Sequence, residues 1–364
     1  MRLGRLWLTD FRCYEHVELS LDSGCTVITG SNGQGKTSLL EAVAWLATGR
    51  SIRGVPDRAL VRTGCEEAIV RAEIDHGDRS ALFEVSIRTA GRNRMLVNKQ
   101  TVTRRRDLAQ HLRVTVFAPD DLALVKGGPA GRRDLLDDVL VAAWPRFAAV
   151  MTDYERVVKQ RNALLRAGIR NDEDRTTRDV LDARLVECGT ELIVGRIDMI
   201  TTMTPAVEAA YASLAGSAPG FATHYEAEWH EGPLARDDVG RALHDALARL
   251  RRREEDRGLT LVGPHRDDWA LVLDDLDARH HASQGEQRTL ALGLRLAGHR
   301  VVADAVGVEP VLLLDDVFSE LDEQRSTALV AHLPATQTLI TTAGALPAGI
   351  RADAWLQIEN GALV

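Results

Sequence analysis

The sequence is short of lysine, of paired cysteine, of long apolar runs and of surplus positive charge, and each shortage excludes something. Lys36, Lys99, Lys126 and Lys159 are the only lysines among 45 basic side chains. Such arginine dominance reads as a genomic bias, so an arginine cluster alone carries little functional weight. Cys13, Cys25, Cys65 and Cys188 form no CxxC pairing, which implies neither a zinc site nor a disulfide framework. A reducing, cytoplasmic setting is the corresponding expectation. No apolar run approaches membrane-spanning length, so no membrane partner is expected. The Met1–Arg12 segment is broken by Arg2, Arg5 and Asp10 and does not read as a signal peptide. A net charge of −8 argues against indiscriminate nucleic-acid binding while leaving local patches open.

What is present is a globular composition. At 364 residues and 45% hydrophobic content, the chain has room for one large domain or two. Its organising stretch is Val27-Ile28-Thr29-Gly30-Ser31-Asn32-Gly33-Gln34-Gly35-Lys36-Thr37-Ser38. An apolar strand runs into a glycine-rich loop with the G-x-x-x-x-G-K-T spacing of a P-loop, and an amphipathic helix follows. Glycines at 30, 33 and 35 let backbone N–H groups wrap a polyphosphate, and the helix start adds its dipole. Lys36 is placed to reach the β- and γ-phosphates of ATP, and the Thr37 hydroxyl to sit on Mg²⁺.

Around this strand, Val17, Leu19 and Leu21, then Ala68 to Ile74, then Phe83 to Ile87, alternate with polar residues. They read as half-buried antiparallel strands around the P-loop strand, with Leu3–Arg12 as an edge strand. Arg12, and the Arg50 and Arg53 that follow the P-loop helix, are candidates to reach phosphate. From Gly127 the texture becomes helical. Residues 130–166 carry helical spacing with a break at Pro145, and a second helical run covers 178–203. Phe221–Trp229 suits a strand and Leu234–Asp256 a further helix. Leu259–Val262 returns to apolar β texture, and Gly263-Pro264-His265-Arg266-Asp267-Asp268 behind it is a plausible site.

Three later features narrow the chemistry. Val311–Leu314 is a buried parallel strand ending in Asp315 and Asp316. Asp315 is placed to hold Mg²⁺ beside Thr37, and Asp316 to polarise an attacking water. Ser283-Gln284-Gly285-Glu286-Gln287 opens an apolar helix about 30 residues earlier, a second phosphate-binding cap. The catalytic set expected is therefore Lys36, Asp315, Asp316 and Ser283. Gly30 to Ser38, Arg12, Gln284 and Gly285 would bind nucleotide, and Thr37 and Asp315 the metal.

The combination resembles the ABC-type ATPase heads of SMC-like chromosome and repair proteins and, within them, the RecF family. The resemblance covers nearly the whole chain. It rests on Asp10-Phe11-Arg12, Gly30–Thr37, Phe117–Arg133, Lys159-Gln160-Arg161-Asn162, Gly263–Asp268, Ser283–Gln287 and Leu313–Asp322. It implies an α/β fold: an ABC-type P-loop ATPase head, a mixed sheet with helices, carrying an inserted and mainly helical lobe. The expected division is a discontinuous head of residues 1–126 and 258–364 around a lobe of 127–257. Two departures from ABC ATPases stand out. Thr341-Thr342 occupies the place of the switch His, and no clear Gln loop is visible.

The resemblance further implies a weak DNA-dependent ATPase acting as a molecular switch. It would form an ATP-dependent homodimer on double-stranded and gapped DNA, with Ser283 reaching the nucleotide of the opposite subunit. It would work with RecR and RecO in loading recombinase, and connect to the SOS response. DNA contacts would be mostly to phosphate, with Arg104–Arg106, Arg132-Arg133 and Arg251–Arg253 as candidates. The rival reading is a nucleotide-binding subunit of an ABC transporter, which would usually need the absent His. A long-armed SMC-type tether is excluded by length, since about 130 residues separate the head segments.

Overall fold

Alternation of buried and open side chains writes the first sheet. In Glu67–His76 (β4) and Arg79–Arg88 (β5) every second residue is buried over most of the strand. A computed structural model, which describes all residues except 78, 104–106, 109–110 and 217–219, pairs them with Arg2–Phe11 (β1) and Tyr14–Ser20 (β2). Arg94–Val97 (β6) and Gln100–Thr101 (β7) complete an antiparallel sheet of order β2-β1-β4-β5-β6-β7. β1 therefore lies between β2 and β4 and is not the edge strand expected for Leu3–Arg12.

The second sheet is built from runs buried on both faces. Val311–Asp315 (β12) and Thr338–Thr342 (β13) are buried throughout, as parallel strands covered on both sides must be. Cys25–Thr29 (β3), Val114–Phe117 (β8), Ala354–Glu359 (β14) and Ala362–Leu363 (β15) give the order β15-β14-β3-β13-β12-β8. Only β15 runs antiparallel to its neighbour. The P-loop strand β3 thus sits between β13 and β14 in the parallel sheet, and the antiparallel strands form a sheet of their own rather than flanking it. The helix after the P-loop, Lys36–Thr48 (α1), buries Leu39, Leu40, Val43, Trp45 and Leu46 in the core that also holds Leu6, Val70 and Phe83.

The chain divides into two compact units, Met1–Leu122 with Ala209–Ser217 and Arg288–Val364, and Ala123–Glu208 with Ala218–Gln287. The second contains Pro129–Ala143 (α3, after the short α2, Leu122–Lys126), Phe147–Ala167 (α4), most of Asp172–Ala215 (α5) and Val239–Arg257 (α6). Phe221–Glu226 (β9), Asp268–Leu273 (β10) and Leu276–Asp277 (β11) form its small antiparallel sheet, followed by Ala278–His281 (α7). Gln284–Val306 (α8) then leads back into the first unit, which also holds Glu323–His332 (α9).

Residues 258–287 consequently pack with the lobe, and the boundary expected at 258 falls at 287. The reason is β pairing: β10 bonds along its length to β9. Leu259–Val262 is no strand. Thr260 is instead gripped by side chains, its N–H donating to Asn162 Oδ1 at 2.7 Å.

Candidate nucleotide site and the lobe's polar core

The P-loop is drawn closed by its own lysine. Lys36 is buried, and its Nζ donates to the carbonyls of Gly30 at 2.6 Å and Ser31 at 2.9 Å. Burial pushes the Lys36 ammonium below the usual lysine range, against the pull of Asp316 and Asp315. Gly35 caps α1 in a left-handed conformation, φ 114°, that a side chain would not tolerate. A Cβ there would lie 2.6 Å from Cys13 Sγ and 2.7 Å from Tyr14 Oη. Tyr14 Oη also donates to the Gly35 carbonyl at 2.9 Å, a support with no local signature in the sequence. Ser31, Asn32 and Gly33 are open to solvent at the crest. Gln34 is tied down, its side-chain oxygen accepting from Asn360 N and its carbonyl from Gly361 N. Ser38 is buried one turn into α1.

At the edge of the loop stands a corner of hard oxygen atoms. Thr37 Oγ1 donates to Asp315 Oδ1 at 2.8 Å, and Thr341 Oγ1 donates to the same oxygen at 2.7 Å. Parallel pairing of β12 with β13 sets Thr341 opposite Asp315. Thr341 also receives the N–H of Asp316 on its hydroxyl, at 3.0 Å. Thr341 therefore braces both carboxylate-bearing residues from the place a switch His would take. Burial raises the Asp315 carboxyl above its ordinary range, opposed by the two hydroxyls and by the charge of Arg53. Asp316 follows in a left-handed conformation, φ 49°, half-buried. These residues fit a nucleotide with Mg²⁺: a Cβ at Gly30 or Gly35 would clash, and the donor set is carboxylate and hydroxyl oxygen.

Arg12, expected at the nucleotide, bonds to neighbouring elements in this structure. Its guanidinium spans both oxygens of buried Glu41, at 2.8 and 2.9 Å, and the carbonyl of Ala59. Ser51 reaches the same carboxylate. Arg12 thus fastens the turn after β1 to α1. Ser283, Gln284 and Gly285 lie in the second unit at the start of α8. Ser283 N donates to Glu286 Oε2 at 2.7 Å while Glu286 N donates to Ser283 Oγ at 3.3 Å, a reciprocal capping box. Ser283 is half-buried, Gln284 and Gly285 are exposed.

Part of the Lys159–Asn162 and Gly263–Asp268 runs, Arg161 and Asp267 above all, is buried inside the second unit. His265 is held between Tyr154 Oη, at 2.6 Å from Nδ1, and the Thr260 carbonyl, and burial pushes its pKa down to about 4. Asp267 is fully buried and accepts from Tyr225 Oη at 2.5 Å and Trp229 Nε1 at 2.6 Å, and burial pushes its pKa up to about 7. Arg161 bonds Asp182, Glu254 and Thr260. The run that reads as a plausible site is therefore a structural hub.

The same holds for Arg132-Arg133, candidates for DNA contact. Arg132 is buried, paired two-pronged with Asp268 at 2.7 and 2.8 Å, and caps the carbonyls at the end of α2. Arg133 donates to the Asp267 carbonyl. Arg251 faces Asp179 and Asp182 at 3.8 Å, and Arg252 and Arg253 are exposed. Arg104–Arg106 lie outside the described residues.

Known proteins share this architecture and sequence. Residues 2–345 match the family model described as RecF/RecN/SMC N terminal domain. The chain is 46% identical over 354 residues to the DNA replication and repair protein RecF of Frankia alni, covering 94% of this chain and 93% of that one. Against the protein of the same description from Streptomyces avermitilis it is 43% identical over 350 residues, 94% of each. A solved structure of the recombination mediator protein RecF with ATP, in the RecFOR pathway, matches with TM-score 0.91 at 26% identity, covering 100% of this chain and 96% of that one. An SmcHead bound to the C-winged helix domain of ScpA matches with TM-score 0.55 at 16% identity, a likeness of fold alone. No described helix is long and apolar enough to cross a membrane. Likeness this even, sustained from the P-loop through the lobe to the last strands, places the chain in the RecF family.

Proposed function

We propose that this chain is an ATP-dependent DNA-binding switch that acts in recombinational repair and replication restart. The observation that carries the reading is the oxygen corner of Thr37, Asp315 and Thr341 at the mouth of a P-loop closed by Lys36. The relatives' descriptions as replication and repair proteins supply the setting, and leave the transporter reading without support.

In this reading the P-loop N–H groups and Lys36 bind the phosphates of ATP. Thr37 and Asp315 would hold Mg²⁺, which when bound supplies Lewis-acid neutralisation of phosphate charge. Thr341 fixes the rotamer of Asp315, so that its second oxygen keeps a constant direction. Asp316 projects from the strand end where a water could be polarised, and hydrolysis is slow and serves to reset the switch. The Ser283 hydroxyl accepts the Glu286 N–H and so keeps its own proton to donate. That suits a cap offered to ATP on a second copy of the chain, closing a homodimer on duplex DNA beside a gap. The RecFOR setting of the solved relative supports action with RecR and RecO.

Sedimentation of the whole chain with ATP, with and without gapped duplex DNA, tests the reading. ATP should promote a dimer and DNA should stabilise it. Ser283→Arg should bind ATP near normally yet stay monomeric, because the larger side chain fills a gap sized for a hydroxyl. A Ser283→Arg chain that dimerises like the wild type would sink the role in trans.

A further inference from the structure

The first unit carries an arginine-lined concavity that none of the site residues above enters. It measures about 510 Å³ and is bordered by Arg58, Arg88, Arg92, Asp57, Thr89 and Thr103. Arg58 sits on the single turn Asp57–Leu60, and Arg88 and Arg92 on the hairpin joining β5 to β6. Three arginines and one aspartate thus border the concavity, in a chain whose net charge is −8. Among the described residues neither Arg58 nor Arg92 makes an ion pair, and Arg88 has only an open one, 3.4 Å from Glu67.

The groove is built rather than incidental. Asp57 accepts from Trp45 Nε1 at 3.3 Å and from Asn93 Nδ2 at 2.7 Å. Asn93 in turn accepts the N–H of Arg88 at 3.0 Å. A single amide therefore ties the arginine hairpin to the Arg58 turn. Between the arginines, Gly91 has open space around it, so a bulky ligand can approach the backbone.

We propose that this groove binds the phosphodiester backbone of nucleic acid, a reading that rests on the DNA-binding function above and names where it occurs. Forked guanidinium donors match phosphate oxygens two at a time, and the Thr103 hydroxyl adds a neutral donor of the kind that positions a strand without reading bases. The class of ligand is a polyanion of regular spacing, and its recognition is indifferent to sequence.

The test is duplex binding by anisotropy across a salt series, using the full-length chain with ATP. Removing one arginine–phosphate pairing should flatten the log–log salt dependence by about 0.9. Arg58→Gln/Arg92→Gln should therefore reduce the slope by roughly 2 and the affinity at low salt by about tenfold or more, with ATP binding unchanged. The matched control Arg241→Gln/Arg300→Gln removes equal charge from arginines already paired locally with Asp238 and Asp304. It should keep the wild-type slope. An unchanged slope in the groove variant, or an equal loss in the control, overturns the groove while leaving duplex binding intact. A wild-type chain that binds no duplex overturns the function itself, and the groove with it.

Discussion

The nucleotide corner and the lobe's polar core are made of the same residue types and put them to opposite uses. At the corner, Lys36, Thr37 and Asp315 bond to groups that a phosphate or a cation could replace: loop carbonyls and one shared carboxylate oxygen. In the lobe, Arg161, Arg196, Asp267 and His265 are satisfied by side chains and carbonyls of their own unit. Arg196, for example, spans both oxygens of Asp137 at 2.8 Å and donates to the Pro264 carbonyl. The lesson is that a dense charged motif is a site only where its partners can be exchanged. Where they cannot, it specifies a fold.

The largest effect that would break this comparison lies in the lobe. Arg161→Met strands buried Glu254 without its cation and leaves Asp182 only Arg251, and should cost about 3–5 kcal/mol of stability. Thermal melting should fall by roughly 10 °C or more, and Arg161→Met/Glu254→Gln should recover part of it. A variant melting like the wild type would show that the core is as dispensable as a surface network.

Next in size is the converse change at the corner. Lys36→Arg replaces a compact ammonium by a planar fork that cannot donate to the Gly30 and Ser31 carbonyls in the same way. ATP turnover and stable DNA association should fall together by about 100-fold, near 2.7 kcal/mol, with melting within about 0.5 kcal/mol of wild type. Wild-type turnover would remove the P-loop assignment.

The smallest effect is one of pH. Asp267, raised to about 7, binds more protons folded than unfolded, so its contribution is whole at low pH and declines as pH rises toward 7. His265, lowered to about 4, is neutral when folded, so its contribution is whole above its ordinary range and declines as pH falls from about 6.5 toward 4. Between about pH 4 and 6.5 the two slopes, each near 1.4 kcal/mol per pH unit at most, oppose each other. His265→Gln should leave stability falling as pH rises, and Asp267→Asn should leave it rising. Denaturant midpoints at about pH 4.5 and about pH 6.5, both within that window, read the difference. The same sign of change in both variants would contradict it.

Sequence legibility follows the same divide. The P-loop, the Asp315-Asp316 strand end and the Ser283 helix start are local, because backbone geometry within a dozen residues creates each of them. The Ser283–Glu286 box needs only a spacing of three. Thr341 reads in the sequence merely as a missing His, since its role depends on which residue of β12 lies opposite, and register between strands leaves no trace in spacing. The Gly263–Asp268 run looks like a site because exposure cannot be read from charge. Its partners, Tyr154, Tyr225 and Trp229, come from three other elements or loops. β3 reads as one strand among antiparallel neighbours for a similar reason: its true neighbours are encoded some 310 residues later.

That last distance has a consequence in time. The antiparallel sheet β2-β1-β4-β5-β6-β7 is complete by residue 101, so it can assemble while the rest of the chain is still being made. The P-loop strand has no such option, because β13 and β14, which pair with its two edges, begin at residues 338 and 354. At about 5–20 residues per second, roughly 15–60 s separate the synthesis of β3 from that of β13. During that interval Val27 and Ile28, fully buried at the end, have neither strand beside them. The nucleotide pocket is thus among the last parts of the protein to come into being, and ATP binding in a nascent or truncated chain reports that the carboxyl-terminal strands have arrived.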